Sequence, residues 1–379
     1  MKKWNVEICD VTLRDGEQTP GVSFSCEEKI EVAEMLDATG VEVIEAGFPV
    51  VSQNEQKSVT KIADLGLDAK ICCLSRAVKG DVDTAIDTGV DIVSIFIATS
   101  DLHIKHKYRR PREEVLDNAL EMVEYTVDHG IQVRFAAEDA SRTDIAFLNE
   151  MYRKGAEYGA AYSSFADTVG CVIPPEMEEI TKQILLKLKN KFCVHCHNDL
   201  GCATANTLTA AAYGAFQLHT TINGIGERAG NASLEEVLVA LRMKGDIDRY
   251  DLTMLPTLSK KIEEVSGIEV SKTKAIVGKN AFAHESGIHI AAIIKDPETY
   301  EYISPEMVGA ERKFVLGKHT GRRALEYIAH TLNCQLSPDE SDWVLSEVKK
   351  QSEGKCRITR EVLLSIIKQS KEQKNENTF

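Results

Sequence analysis

Two histidines one residue apart, His195 and His197, close a β-branched, cysteine-containing run, FCVHCH at 192–197. On a strand, residues i and i+2 share a face, so both imidazoles would project together. Two imidazoles held that way make half of a divalent-metal site, which a hard oxygen ligand completes. Such a ligand stands in T-L-R-D-G-E-Q at 12–18, where Asp15 follows Arg14 and precedes Glu17 and Gln18. Two nitrogens with one or more oxygens suit Mg2+, Mn2+, Zn2+ or Fe2+. The corresponding chemistry is polarisation of a carbonyl, with Arg14 offsetting the charge that grows on its oxygen. The competing readings are that two inward histidines merely fill a polar interior, and that Arg14 merely pairs with Asp15 or Glu17.

Other chemistry-bearing residues fall at comparable places. Glu45 ends the run 41–47, Arg134 and Glu138 lie in 131–138, and Asp167 and Thr168 follow 161–166. G-I-G-E-R-A-G-N at 224–231 has neither dinucleotide nor P-loop spacing, so it is a tight turn whose Asn231 caps a helix or offers an oxygen to a metal. The segment 100–112, SDLHIKHKYRRPR, is a basic cluster that either attracts a phosphorylated or polycarboxylate ligand or is a solvated face. Its His103 lies nearest the preceding strand. H-E-S-G-I-H at 284–289 spaces His284 and His289 too far around a helix to share an ion; with Tyr300 one of them could move protons. Cys193 and Cys196 form a lone C-x-x-C on opposite faces of a strand, a poor metal pair.

These residues need a scaffold that converges strand ends. From residue 5 to about 245 short β-branched runs alternate with amphipathic stretches such as 26–39, 112–129 and 175–189, about every 30 residues. Eight strands are expected, at 5–11, 41–47, 69–74, 91–97, 131–138, 161–166, 192–197 and 217–223. Right-handed crossovers between successive parallel strands close as a (β/α)8 TIM barrel, with reactive groups at the strands' carboxyl ends. An open doubly wound sheet is the rival, but TLRDGEQTPG is not its glycine-rich turn. The expected division is a barrel over 1–265, a mostly helical C-terminal appendage over 266–370 and a frayed polar tail over 371–379.

Composition narrows the functional class. The 379 residues carry 45 Lys+Arg against 59 Asp+Glu, a formal charge of −14. That balance argues against nucleic acid and anionic lipid as partners. No apolar run is long enough for a signal peptide or a membrane span, and 10 scattered cysteines suit reduced thiols, so a soluble cytoplasmic protein is expected.

Taken in order, L-R-D-G-E-Q at 13–18, V-I-E-A-G-F-P at 43–49, A-E-D-A-S-R-T-D at 137–144, A-D-T-V-G at 166–170 and H-C-H-N-D-L-G at 195–201 form a recognisable set. With N-G-I-G-E-R-A-G-N-A-S-L-E-E at 223–236, H-E-S-G-I-H at 284–289 and V-L-G-K-H-T-G at 315–321, the chain resembles the 2-isopropylmalate, homocitrate and citramalate synthases of the DRE-TIM metallolyases. The resemblance spans about 5–330. It implies a Claisen-type condensation of acetyl-CoA with a 2-oxo acid at a divalent metal, followed by thioester hydrolysis and release of CoA. It implies Asp15, His195 and His197 as metal ligands with Asn231 nearby, Arg14 for the oxyanion, and Arg134 and Thr168 for substrate carboxylates. Glu138, His289 and Tyr300 would handle protons, the last two reaching across from the second subunit of a homodimer. Gln18, Glu45 and His103 belong to the same substrate-binding set. The chain's length is that of homocitrate synthases, which favours 2-oxoglutarate. Against this, C-C-L-S-R-A at 72–77 resembles isopropylmalate synthases: Leu74 suits an apolar tail, whereas Arg76 serves a carboxylate only if it points inward. A carbon–carbon lyase resembling hydroxymethylglutaryl-CoA lyase is the alternative of another class.

Overall fold

The computed structural model describes residues 4–376 and divides into two units, Met1–Val270 and Ser271–Phe379. In the first, eight parallel strands close into a barrel among the described residues, each hydrogen-bonded to its neighbours in sequence and the last to the first. They are β1 (Glu7–Asp10), β2 (Val43–Gly47), β3 (Lys70–Arg76), β4 (Ile92–Ala98), β5 (Gln132–Glu138), β6 (Tyr162–Asp167), β7 (Lys191–Cys196) and β8 (Gln217–Thr220). The expected barrel is present, with its strands within a few residues of the runs read from sequence.

Local sequence sets the helix limits. The helix Cys26–Thr39 starts at Ser25, whose hydroxyl accepts from Glu28 N while Glu28 caps Ser25 N in return, and it stops at Gly40, which takes φ 91°. The helix Ile145–Glu157 starts where the Asp144 carboxylate accepts from two backbone N–H groups. Alternation then sorts the strand side chains. Cys9, Val43, Cys72, Ile92, Tyr162 and Cys193 point inward and close the floor of the barrel. One layer higher the inward positions turn polar: Arg134, Glu45, Ser94, Gln217 and His219 are all buried. This polar layer lies beneath the carboxyl ends of the strands, the rim where a TIM barrel works.

The second unit is built from helices around a short parallel pair, Ala283–His284 with Lys313–Phe314. Its core joins Leu325 and Ala329 of the helix Arg322–Thr331 to Val344 and Val348 of Pro338–Glu353 and to Leu363, Ile366 and Ile367 of Arg360–Glu376. That last helix continues through residues 371–376 of the tail expected to fray, and 377–379 lie outside the described residues. All ten cysteines are free thiols. Among the described residues no helix is long and apolar enough to cross a membrane.

Candidate metal centre and substrate cavity

At the rim, the loop after β1 carries Asp15 against His195 of β7 and His197 just beyond its end. The Nε2 atoms of His195 and His197 are 3.2 Å apart, and Asp15 Oδ2 lies 3.4 Å from the first and 3.8 Å from the second. Donors bound to one ion at about 2.0–2.2 Å lie roughly 3.0–3.5 Å from one another, so the three atoms sit close to a ligand set's spacing. Asn231 Nδ2 donates to Asp15 Oδ1 at 3.0 Å and to Ile225 O at 3.1 Å, while its Oδ1 is buried without a partner. Gly226 makes this packing possible. At φ 154°, a Cβ there would come within 2.1 Å of Asn231 Nδ2 and 2.8 Å of Asp15 Oδ1.

The protonation states match the geometry. Burial raises the Asp15 carboxyl, but the Arg14 guanidinium and the two imidazoles outweigh it and hold the group well below its usual range. Burial and the neighbouring His195 press His197 down to about 4. An ionised carboxylate beside a neutral imidazole is what a divalent cation requires of its ligands. The donor set, its spacing and the unpartnered Asn231 oxygen therefore fit a divalent metal.

Arg14 is fixed from two sides: Nη1 donates to Asp15 Oδ2 at 2.6 Å and Nε to Glu45 Oε2 at 2.5 Å. Glu45 is fully buried and is held ionised by Arg14 and Arg134 against the effect of burial. Arg134, expected to hold a substrate carboxylate, lies at the base of the cavity with its donors engaged by the protein. Its N–H groups are taken up by Ser94 Oγ, Cys9 Sγ, Gln217 Oε1, His219 Nε2, Glu45 and Cys72 Sγ. A guanidinium has five donors, and none is left to point into the cavity. Arg134 thus forms the floor beneath Glu45.

A cavity of about 300 Å3 opens over this floor. Arg14, Asp15, Gln18, Glu45, Leu74, Arg134, Glu138, Thr168, His195 and His197 all line it, so ten of the residues singled out from sequence converge here. Glu138 is gripped by Lys107 Nζ at 2.7 Å to each carboxylate oxygen. His103 rests against Glu138 and Asp139 at 3.6 and 3.7 Å instead of lining the cavity. Thr168 Oγ1 accepts from Asp139 N at 2.8 Å. Arg76 was expected to serve a carboxylate only if it points inward, and it does not. Although it continues the inward alternation of Cys72 and Leu74, its side chain turns to Asp81 at 2.5 Å, remains 56% exposed and leaves the cavity without that cation. The basic cluster is largely neutralised locally, Lys107 by Glu138, Arg110 by Glu114 and Arg112 by Asp101.

In the second unit, His284 and His289 separate in role. His284 Nε2 lies 3.1 Å from Glu301 Oε1, a carboxylate that also binds Arg312. His289 and Tyr300 are exposed and stacked, with ring centroids 4.0 Å apart.

Sequence reading passed over His219, Ser94, Phe48, Phe96 and Arg228, all of which line the cavity together with Lys107 of the basic cluster. His219 was accessible to the alternation rule, since Gln217 and His219 share a face of β8. Arg228 was not. At φ 54° it bonds Asp199 and Thr168 O, an arrangement only the folded loops create.

Comparison with known proteins agrees with this architecture. The model described as HMGL-like matches residues 5–262, and the model described as homocitrate synthase post-HMGL domain-like matches 276–355. The homocitrate synthase AksA of Methanosarcina mazei is 55% identical over 97% of this chain and 92% of its own length. A probable 2-isopropylmalate synthase of Methanopyrus kandleri is 51% identical over 91% of this chain and 69% of its own. Among solved structures, the HMG-CoA lyase of Bacillus subtilis superposes with TM-score 0.65 over 71% of this chain and 97% of its own, at 22% identity, a likeness of fold. The chain belongs to the HMGL-like family, in the group that carries a homocitrate-synthase-type domain behind its barrel.

Proposed function

We propose that this chain is an acyltransferase that condenses acetyl-CoA with a 2-oxo acid and releases CoA, with 2-oxoglutarate as the favoured acceptor and homocitrate as product. The observation that carries the reading is the convergence of Asp15, His195 and His197 on one point at the rim, beside an Arg14 that Asp15 and Glu45 hold in place. Relatives named homocitrate synthase, similar over nearly the whole chain, support the choice of acceptor.

A divalent ion such as Mg2+, Mn2+ or Zn2+, held by Asp15, His195 and His197 with Asn231 beside them, would supply Lewis-acid polarisation of the keto group. Arg14, braced from below by Glu45 and Arg134, offsets the negative charge that grows on the keto oxygen. Gln18 and Thr168 orient the acceptor's polar groups. Glu138 takes a methyl proton from acetyl-CoA, the methyl carbon bonds to the keto carbon, and water then cleaves the thioester so that CoA leaves as the thiol. His289 and Tyr300 serve as further proton-handling groups, delivered by a second copy of the chain in a homodimer. The reading carries a cytoplasmic location with it.

A specific observation favours a second acceptor. Leu74, Phe48, Phe96 and Ala136 give the cavity an apolar wall, which suits the branched tail of 2-oxoisovalerate, the acceptor of a 2-isopropylmalate synthase. Thiol release by the purified chain with Mn2+, acetyl-CoA and a panel of 2-oxoglutarate, 2-oxoisovalerate and pyruvate separates these. The greatest kcat/KM is expected with 2-oxoglutarate. A preference for 2-oxoisovalerate or pyruvate overturns the acceptor, and no release with any of them overturns the condensation.

A further inference from the structure

The hydrogen-bond ladder between β1 and β2 stops short of the rim. Its paired residues are Cys9 with Val43 and Asp10 with Ile44, and the pairing of β2 with β3 shifts register between Glu45 and Gly47. Above those points the two chain segments carry Arg14 and Asp15 on one side and Glu45 on the other, with no ladder rung between them.

A side chain takes the place of that rung. Lys29, on the helix Cys26–Thr39, is 1% exposed. Its ammonium donates to Leu13 O at 3.0 Å and reaches Ala46 O at 3.5 Å, the carbonyls next to Arg14 and Glu45. Two carboxylates surround the same nitrogen, Glu55 at 2.7 and 2.8 Å and Glu17 at 2.6 Å. Each carboxylate also pins one rim loop, because Glu17 Oε1 accepts from Phe24 N at 2.9 Å and Glu55 Oε1 from Phe48 N at 3.0 Å. Gly47 leaves the room this needs: a Cβ there would lie 1.9 Å from Glu55 Oε1. A buried ammonium with two carboxylates is a costly way to join a helix to a barrel, and well-packed apolar side chains do that as well. What apolar groups cannot do is bond the Leu13 carbonyl directly and, through Glu55, the Phe48 amide after β2, and so fix the separation of the segments that carry them.

We propose that Lys29 is a positioning residue that holds the β1 and β2 ends in register, so that the Arg14–Glu45 pair keeps its geometry over the substrate. The proposal rests on the condensation reading for its kinetic consequence and on the tie itself for its structural one. The test is a double-mutant cycle of Lys29→Met with Glu45→Gln in the full, Mn2+-loaded protein, with circular dichroism as the check of fold. Lys29→Met is expected to lower kcat at least tenfold while the KM for acetyl-CoA and the Mn2+ affinity stay within about threefold. In the Glu45→Gln background the same change should cost less than threefold, because the pair it positions is already broken. Amide hydrogen exchange in peptides covering 12–18 and 43–49 should quicken at least tenfold in Lys29→Met, with the remaining strands unchanged. Multiplicative losses in the cycle, or unaltered exchange in those two peptides, overturn the proposal. If Lys29→Met does not fold, Glu55→Gln replaces it in the same cycle and the same exchange measurement, and the same outcomes support or overturn the tie. If the wild type condenses nothing, the function reading fails and the exchange result alone decides for or against Lys29.

Discussion

Strands β7, β8, β1 and β2 bring His195, His197, His219, Asp15, Arg14 and Glu45 to one side of the cavity, whereas β3 to β6 contribute Leu74, Ser94, Phe96, Ala136, Ser164 and Ala166 to the other. On the first side the charged groups are closely paired, while Nδ1 of each of the three imidazoles is buried without a partner. Asp15 meets Arg14 and both imidazoles, Glu45 meets two guanidiniums, and His219 meets Gln217 and Arg134. On the second side Arg134, Glu138 and Thr168 are polar, but between them small or apolar side chains leave space. A network in which each member fixes the next tolerates little change, because removing one partner strands a buried charge. A wall of small and apolar groups instead sets the shape of what fits and is open to alteration. The charged half is therefore suited to hold the keto group, and the other half, apart from the Glu138 base, to choose the acceptor.

The largest break in this contrast is expected from His197→Ala. Loss of one ligand should lower kcat by about 10^3-fold or more and weaken Mn2+ binding measured by calorimetry, while the circular dichroism of the barrel persists. Full activity in that variant would remove the metal centre from the account. Gly226→Ala should come next. Its methyl group intrudes on Asn231 and Asp15, so Mn2+ affinity and kcat are each expected to fall about 10–100-fold. An unchanged affinity would show that the glycine serves only the turn.

The apolar half should respond differently. Leu74→Ala shortens the wall opposite the histidines, and missing methylenes in such a pocket change discrimination by about 10–200-fold. The ratio of kcat/KM for 2-oxoisovalerate to that for 2-oxoglutarate is expected to fall at least tenfold, with Mn2+ affinity within about twofold. A parallel loss for both acceptors, or a loss of metal, would erase the distinction between the halves.

The same division explains what could be read from the sequence. His195, His197 and Asp15 were legible because alternation along one strand and the carboxyl-end rule for a barrel are local or nearly so, and the eight strands followed from their regular spacing. Arg134 has the parity expected of it, but what the sequence does not show is that its donors meet Cys9, Ser94, Gln217 and His219, partners as far as 125 residues away in sequence. Arg76, whose role was left conditional on its direction, has a parity that aims it at the rim, and a carboxylate five residues on draws it outward. Lys29 looked like one more lysine on an amphipathic helix, since nothing in its neighbourhood announces that Glu17 and Glu55 will meet there.

The smallest effect on turnover, and the finest test of the charged half, concerns Asp10. Cys9 points inward to Arg134, so Asp10, the next residue of β1, faces away from the cavity. Its carboxylate accepts from Thr12 N at 2.9 Å and contacts Thr220 Oγ1 at 3.4 Å. Unlike Asp15 and Glu45 it has no guanidinium, and burial pushes its carboxyl up to about 7. Between its ordinary value of 3.8 and about 7 the folded protein binds the proton and the unfolded chain has lost it. Stability is thus full below that window and declines as pH rises through it, by about 1.4 kcal/mol per pH unit from this group. Asp10→Asn keeps an acceptor for Thr12 N and removes the titration. Urea unfolding at pH 4.5 and pH 8 should find the variant close to wild type at the lower pH and more stable by a few kcal/mol at the higher, with kcat within about twofold throughout. A variant less stable than wild type at pH 8 would mean that folding does not raise the Asp10 carboxyl, and that its hydroxyl and amide donors hold a buried charge as well as a guanidinium does.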